Sequence, residues 1–504
     1  MGTTQSVTMQ PDQPSPPLAG APPTIPATPF SWRALIGAAV LLLAVAAYSA
    51  HWLYGSGDAV VRAQAAMGVF AFIGVVAACS ANLRAISWRT IGWGFALQVL
   101  LALFVLKFEV GGYRPGYELF SALAAVAKKF LEFTDAGSQF VFGNLANPSV
   151  MEPTFKNPQL VGHALGSPYT AVAAHDQETH SLGFVFAIRA LPTIVFISAF
   201  FSVLYYFGVL QRVVQVMAWG LRYLMRTSGA ETLSVTANVV MGQTEAPLIV
   251  KPYVEGMTQS ELLALMVGGM AHISGGLMAV YIGMGADPVA ILATSVMASP
   301  CSLYLTKLML PELGKPITAS TVHAQVEKTH TSAVDAAAAG ASDGMRLAIN
   351  IAAMLIAFIA FIALFDYLLD LLSMRINWAL GTDLHLSLAY LFSWIFSPAA
   401  YLMGVESNDV PQIADLLGTK LVANEFVAFV KYKSYYDGLS PRSRVLATYA
   451  LTGFANIASI GIQLGGIGAM APSRRADIAR LGGRALLTGF LATLVNASIA
   501  GVLL

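Results

Sequence analysis

Ten stretches of this chain carry no Asp, Glu, Lys or Arg over a length close to that of a membrane span: 34–57, 63–83, 90–106, 190–211, 262–286, 288–306, 347–365, 384–405, 445–473 and 485–504. A spanning helix needs about 20 mostly apolar residues. Charged residues make up 11% of the sequence and hydrophobic ones 56%, whereas soluble domains are about 25% charged. Lipid must therefore be the solvent for much of the chain, and the expected fold is an all-α polytopic membrane protein. The formal net charge of +1 excludes a nucleic-acid partner, which would require a basic face. The only two cysteines, Cys79 and Cys301, sit in apolar runs and offer neither a disulfide framework nor metal-ligand spacing. They read as buried thiols that pack.

Residues 1–32 are rich in proline and contain no Lys or Arg before that segment's end, which suits a disordered tail with polyproline II character. A secretory signal would carry a basic region close to its start. The run 33–57 is therefore read as a retained transmembrane helix, with cleavage near Ala50 as the alternative. From 58 to 227 further helices are expected. Among them, 108–188 is amphipathic, with Lys128, Lys129 and Glu132 interleaved with Phe130, Leu131 and Phe133; this pattern suits helices lying at the interface. The stretch 313–344 is polar and aperiodic and reads as a loop dividing the chain, followed by a helix over 345–383. The cluster Arg474, Arg475, Arg480 and Arg484 is expected on the cytoplasmic side of a bacterial inner membrane, leaving the C-terminus outside; Arg84 and Arg89 mark a second such loop.

Two segments resist assignment as simple spans. Ser228–Val254 sets Glu231, Gln243, Thr244, Glu245 and Pro247 among apolar residues, and Ser397–Phe429 does the same with Pro398, Glu406, Asp409, Pro411, Lys420 and Glu425. Short apolar runs ended by Pro, Gly and acid suggest re-entrant hairpins, which are tolerated at membrane depth only where protein or a wet cavity surrounds them. The two halves also echo each other. Thr244-Glu245 precedes Gly269-Met270-Ala271-His272-Ile273, and Asn424-Glu425 precedes Gly453-Phe454-Ala455-Asn456-Ile457. Paired interrupted segments at matching places point to a transporter's substrate site. The first repeat is drawn over 228–312 and the second over 384–504.

An ionisable residue at the centre of a membrane helix costs about 2.5–3.5 kcal/mol on insertion scales, so Glu245 and Glu425 need partners or a function. A carboxylate can accept two vicinal hydroxyls at once, and Gln or Asn matches an amide edge with donor and acceptor together. An aromatic face can stack on a base. Gln243, Thr244, Glu245, Glu425, Phe454, Asn456 and Ser459 form such a set, and Leu277 is a candidate lining residue. These residues alone support a transporter for a polar solute or an ion, or a passive channel. Gly340-Ala341-Ser342-Asp343-Gly344 matches a nucleophile-elbow pattern but lacks the strand–turn–helix setting, so no enzyme is expected.

The sequence resembles the concentrative nucleoside transporter family over roughly 64–504. The resemblance is carried by Gly242-Gln243-Thr244-Glu245-Ala246-Pro247-Leu248 and by Gly418-x-Lys420-x-x-x-Asn424-Glu425-Phe426-Val427. It extends to Gly453-Phe454-Ala455-Asn456-Ile457-Ala458-Ser459, Ala136-Gly137-Ser138-Gln139 and Leu191-Pro192. It implies inverted repeats, a scaffold with a mobile transport domain, a homotrimer, and nucleoside symport with Na+ or H+ and no organic cofactor. Carried over, Gln243, Thr244, Glu245 and Phe454 would face the base, while Glu425, Asn456 and Ser459 would hold the ribose. A cation site would use Asn238, Met241, His272 and Ile273. Two departures stand out: the helix at 33–57 is additional, and His272 stands where sodium-dependent relatives carry a small hydroxyl residue. An imidazole can itself carry a proton near neutral pH, so both coupling ions stay open.

Overall fold

Helices account for nearly all the regular structure in the computed structural model, which describes residues 27–55, 57–146, 188, 191–318 and 331–504. Among these residues the only extended pairing is an isolated bridge, Val110 with Tyr113. Seven helices there are long and apolar enough to cross a membrane, or up to eight counting a bent pair as one span. The expected tail up to residue 26 and much of the amphipathic segment lie outside the described residues.

The chain begins with α1 (Phe30–Tyr54), α2 (Asp58–Ala78) and α3 (Trp88–Leu106). α1 lies against α2, where Gln64 Nε2 donates to the Ala47 carbonyl at 2.8 Å, and it leaves Leu35, Leu42 and Trp52 exposed. Cys301 is buried as expected, but Cys79, at the end of α2, is exposed. A single helix, α4 (Pro115–Phe142), covers most of the described part of the amphipathic segment. Next, α5 (Leu191–Tyr206) turns by 75° into α6 (Val209–Met225). The bend falls at Gly208, whose φ of 74° is easiest for a residue without Cβ.

The expected polar loop over 313–344 is corrected at its end: 319–330 lie outside the described residues, and α12 (Ala333–Leu380) is one helix of 48 residues. Its alanine-rich start has the highest intrinsic helix propensity, and Ser332 caps it by accepting from the Asp335 N–H at 3.1 Å. Gly340 and Gly344 face α5. A Cβ on Gly340 would lie 2.7 Å from the Ser198 carbonyl oxygen, and one on Gly344 would lie 2.9 Å from that of Ile194. The Gly-x-x-x-Gly spacing thus serves close helix packing.

A sequence of elements then occurs twice. After the bent pair α5–α6 comes a hairpin, from α7 (Gly229–Ala237) through a turn and a 3-10 stretch to α8 (Lys251–Val254). A broken helix follows, α9 (Gln259–Ala271) and α10 (Gly275–Gly283), and then the long α11 (Pro288–Met309). After α12 and the short α13 (Leu388–Leu402), the second hairpin is α14 (Val410–Val422) with α15 (Glu425–Tyr435). Its broken helix is α16 (Pro441–Leu451) and α17 (Ile457–Met470), followed by α18 (Arg475–Leu503). The second hairpin therefore starts later than the Ser397 boundary suggests, because α13 is a separate element.

The core lies between α9, α11 and α18, which bury most of their lengths. α3 joins it through buried polar contacts: Gln98 Nε2 donates to Asn496 Oδ1 at 2.6 Å, and Tyr304 OH donates to Gln98 Oε1 at 2.9 Å. A buried ion pair, Lys307 Nζ to Glu231 Oε2 at 2.7 Å, fastens the base of the first hairpin to α11. Arg474 ties the start of α18 to the carbonyls of Glu255 and Met257, at 2.9 and 2.6 Å.

Candidate functional site

The site is built where the two broken helices cross. α9 ends at His272, whose backbone is extended, and α16 gives way to Gly453 at φ 143°. Both breaks free backbone groups that need partners in a dry interior. The Phe454 N–H donates to the His272 carbonyl at 3.1 Å, and the Gly275 N–H at the start of α10 donates to Val240 of the first hairpin at 2.9 Å. A Cβ on Gly453 would stand 3.0 Å from the Met270 carbonyl and 3.1 Å from that of Ala271. Only glycine gives both that φ and that approach.

Around the crossing, Asn424 caps α15 by accepting from the Val427 N–H at 2.8 Å, which makes Glu425 the first residue of the helix. Acidic groups are favoured at such an end. Glu425 is buried, with Tyr281 OH donating to Oε1 and Asn456 Nδ2 donating to Oε2, each at 3.0 Å. Asn456 caps α17, accepting from the Ser459 N–H at 2.9 Å. Ser459 Oγ accepts from Gln243 Nε2 at 3.3 Å, and Gln463 Nε2 donates to Gln243 Oε1 at 3.3 Å and to the Met266 carbonyl at 2.9 Å. An unbroken row of polar groups thus runs from the first hairpin to Glu425 in the second.

Of the expected substrate residues, Gln243, Glu425, Asn456 and Ser459 are joined in that row. Thr244 lies against α17, 3.0 Å from where a Cβ on Gly466 would stand. Phe454 is nearly buried at the second break, and Leu277 is buried in the first turn of α10. Glu245 differs: it is exposed, and its Oε2 accepts from the Gly242 N–H of its own turn at 3.0 Å.

Among the expected cation residues, Asn238 and Ile273 are fully buried, while Met241 is half-buried. Asn238 Nδ2 donates to the Ser234 carbonyl at 3.0 Å, and its Oδ1 is buried without a protein partner. The His272 ring is buried, with Nδ1 2.8 Å from the Gly268 carbonyl and Nε2 3.1 Å from Ser299 Oγ. A carbonyl only accepts, so Nδ1 carries the hydrogen, and in the neutral ring Nε2 accepts from the serine hydroxyl.

Sequence reasoning missed Tyr281 and Gln463 and gave Lys420 no role of its own. Lys420 Nζ is buried, donating to the Ala450 carbonyl at 2.7 Å and Thr493 Oγ1 at 3.0 Å, with the Phe490 ring 5.5 Å away. Gln463, an amide in a charge-free window, could have been found; Tyr281 reads as ordinary packing.

Two hairpins and two crossed half-helices around a row of buried amides, hydroxyls and a carboxylate define a membrane transporter of the inverted-repeat class. The chain belongs to the Na+ dependent nucleoside transporter family. That family's N-terminal model matches residues 67–145 and its C-terminal model 290–501, with a "Nucleoside recognition" model matching 187–288 between them. A Sodium/nucleoside cotransporter 1 of Mus musculus is 39% identical over 86% of this chain, which spans 63% of that relative's length. An uncharacterized transporter of Haemophilus influenzae is 40% identical over 86% of this chain and 96% of its own. The solved structure of CNTnw in an inward-facing substrate-bound state superposes with a TM-score of 0.75 at 35% identity, covering 88% of this chain and 98% of that one. A CNTnw double variant in an outward-facing state gives 0.77 at 34% identity, with the same coverage. These relatives are transporters, not enzymes, and the elbow-like Gly340–Gly344 pattern lies within a helix.

Proposed function

We propose that this protein imports nucleosides across a bacterial inner membrane by cation symport. The observation that carries this reading is the polar row from Gln243 to Glu425, which sets amide groups and a carboxylate beside one crossing of half-helices. Gln243, Thr244 and Phe454 would face the base, joined by Glu245 at the exposed edge and by Leu277. Glu425, Asn456 and Ser459 would take the ribose hydroxyls. Similarity to sodium/nucleoside cotransporters supports the substrate class. In this reading α5 and α12, clamped through Gly340 and Gly344, form the core of a static scaffold within a homotrimer. The hairpins and broken helices form the moving part, and the basic start of α18 faces the cytoplasm.

Sodium is the coupling ion this reading favours. The buried Asn238 Oδ1 is a free hard oxygen, and the carbonyls near Met241 and Ile273 are of the same type. The His272 ring, turned toward Gly268 and Ser299, leaves space to such oxygens without offering its own nitrogen. Proton coupling through His272 is the second reading, favoured by its burial next to the first break. Uridine uptake into proteoliposomes separates them. A sodium gradient at fixed pH is expected to drive accumulation, and a pH gradient in sodium-free buffer is not. Accumulation on the pH gradient alone would transfer the coupling role to protons, and equilibration without accumulation under either gradient would make the protein a passive channel.

A further inference from the structure

Glu425 can hold a diol only if its carboxylate plane is fixed, and one of the two groups that fix it comes from the opposite repeat. Tyr281 stands on α10 of the first repeat, 144 residues before Glu425, and is fully buried. Its ring stacks on Phe429 with centroids 4.4 Å apart at 18°, and meets Phe426 edge-on at 5.7 Å. Both phenylalanines belong to α15, the helix that Glu425 begins. The ring is thus gripped from two sides, which sets the direction of its hydroxyl toward Oε1 at 3.0 Å. Asn456 holds Oε2 at the same distance.

A carboxylate has about four lone-pair directions. Tyr281 and Asn456 take one on each oxygen, which restrains rotation about the terminal bond and leaves lone-pair capacity on the carboxylate for hydroxyl donors. We infer that Tyr281 is a positioning residue for sugar recognition: it never touches the nucleoside, but it orients Glu425 so that both oxygens face a vicinal diol. This rests on Glu425 as the ribose-binding group. Asn456 cannot substitute, since it reaches only the other oxygen and is itself tied to Ser459. The consequence is a division of labour, in which specificity for the 2′- and 3′-hydroxyls depends on a residue that lies behind the site.

The test compares uridine with 2′,3′-dideoxyuridine in proteoliposomes of the full-length chain, wild type against Tyr281→Phe. The variant keeps the stacked ring and removes only the hydroxyl. A lost hydrogen bond to a charged group is expected to raise the uridine KM about tenfold. The dideoxyuridine KM and both maximal rates should change less than about twofold, so the preference for ribose shrinks by nearly the same factor. An unchanged preference, or an equal rise in KM for both nucleosides, would overturn the role of Tyr281. Glu425→Gln, assayed alongside, keeps the two failures apart. If that variant retains the wild-type preference, the assignment of Glu425 itself fails; if it loses the preference while Tyr281→Phe keeps it, only the inference about Tyr281 fails.

Discussion

Each hairpin carries a glutamate, Glu245 in the first and Glu425 in the second, yet they hold it in opposite ways. In the second, α14 and α15 are pinned together. Asp415 Oδ2 lies 2.6 Å from Lys431 Nζ and accepts from Tyr435 OH at 2.8 Å, and Glu425 opens a capped helix with both carboxylate oxygens engaged. In the first, Pro247 and Pro252 divide the returning arm into a 3-10 stretch and a single helical turn. Glu245 is exposed there and bonds only within its own turn. A fixed carboxylate and an adaptable one suit different tasks. In the proposed function the fixed group would select a rigid diol, while the exposed one would meet a base edge whose donors and acceptors differ between nucleosides.

This contrast can be broken at several points. The largest effect is expected at the crossing itself. Gly453→Ala forces a side chain into a left-handed backbone against two carbonyls, and strained backbone alone costs about 1–3 kcal/mol. Loss of monodisperse protein on size exclusion in detergent is the expected readout. No comparable penalty applies at His272, whose extended backbone suits any residue. Next comes Glu425→Gln, which removes a buried charged acceptor. Uridine affinity measured by calorimetry should fall by about 100-fold. Glu245→Gln keeps an oxygen for the Gly242 N–H and should raise the uridine KM by no more than about tenfold; equal losses for the two glutamates would erase the proposed asymmetry. The smallest effect is expected for Asn424→Ala, which deletes the cap of α15 and should cost about 1 kcal/mol in thermal stability, with a minor rise in KM.

Legibility in the sequence followed the same physics. Glu425 and Gln243 stand out as polar groups in segments that fail as simple spans, Asn456 and Ser459 as polar groups in a charge-free window, and the structure joins them. The hairpins were readable from Pro, Gly and acid placement, and the repeat from matching short motifs, whereas the breaks at His272 and Gly453 fall inside windows long enough to pass as single spans. Tyr281 was not readable, because an aromatic residue in an apolar helix gives no sign of where its hydroxyl points. The helix over 333–344 was misread as loop because small residues lower the apolar signal. Those same small residues let α12 approach α5, a property that only the partner's backbone reveals.

The crossing also bears on how such a chain is made. The His272 carbonyl emerges from the ribosome long before Phe454, its hydrogen-bond donor, and Gln243 waits through 216 residues for Ser459. During that interval the first half must sit in the membrane with open polar ends, held in a provisional arrangement by water, lipid headgroups or the insertion machinery. The site therefore cannot form until the second broken helix has been made. Halves expressed separately should each be short-lived in the cell and persist only when co-produced.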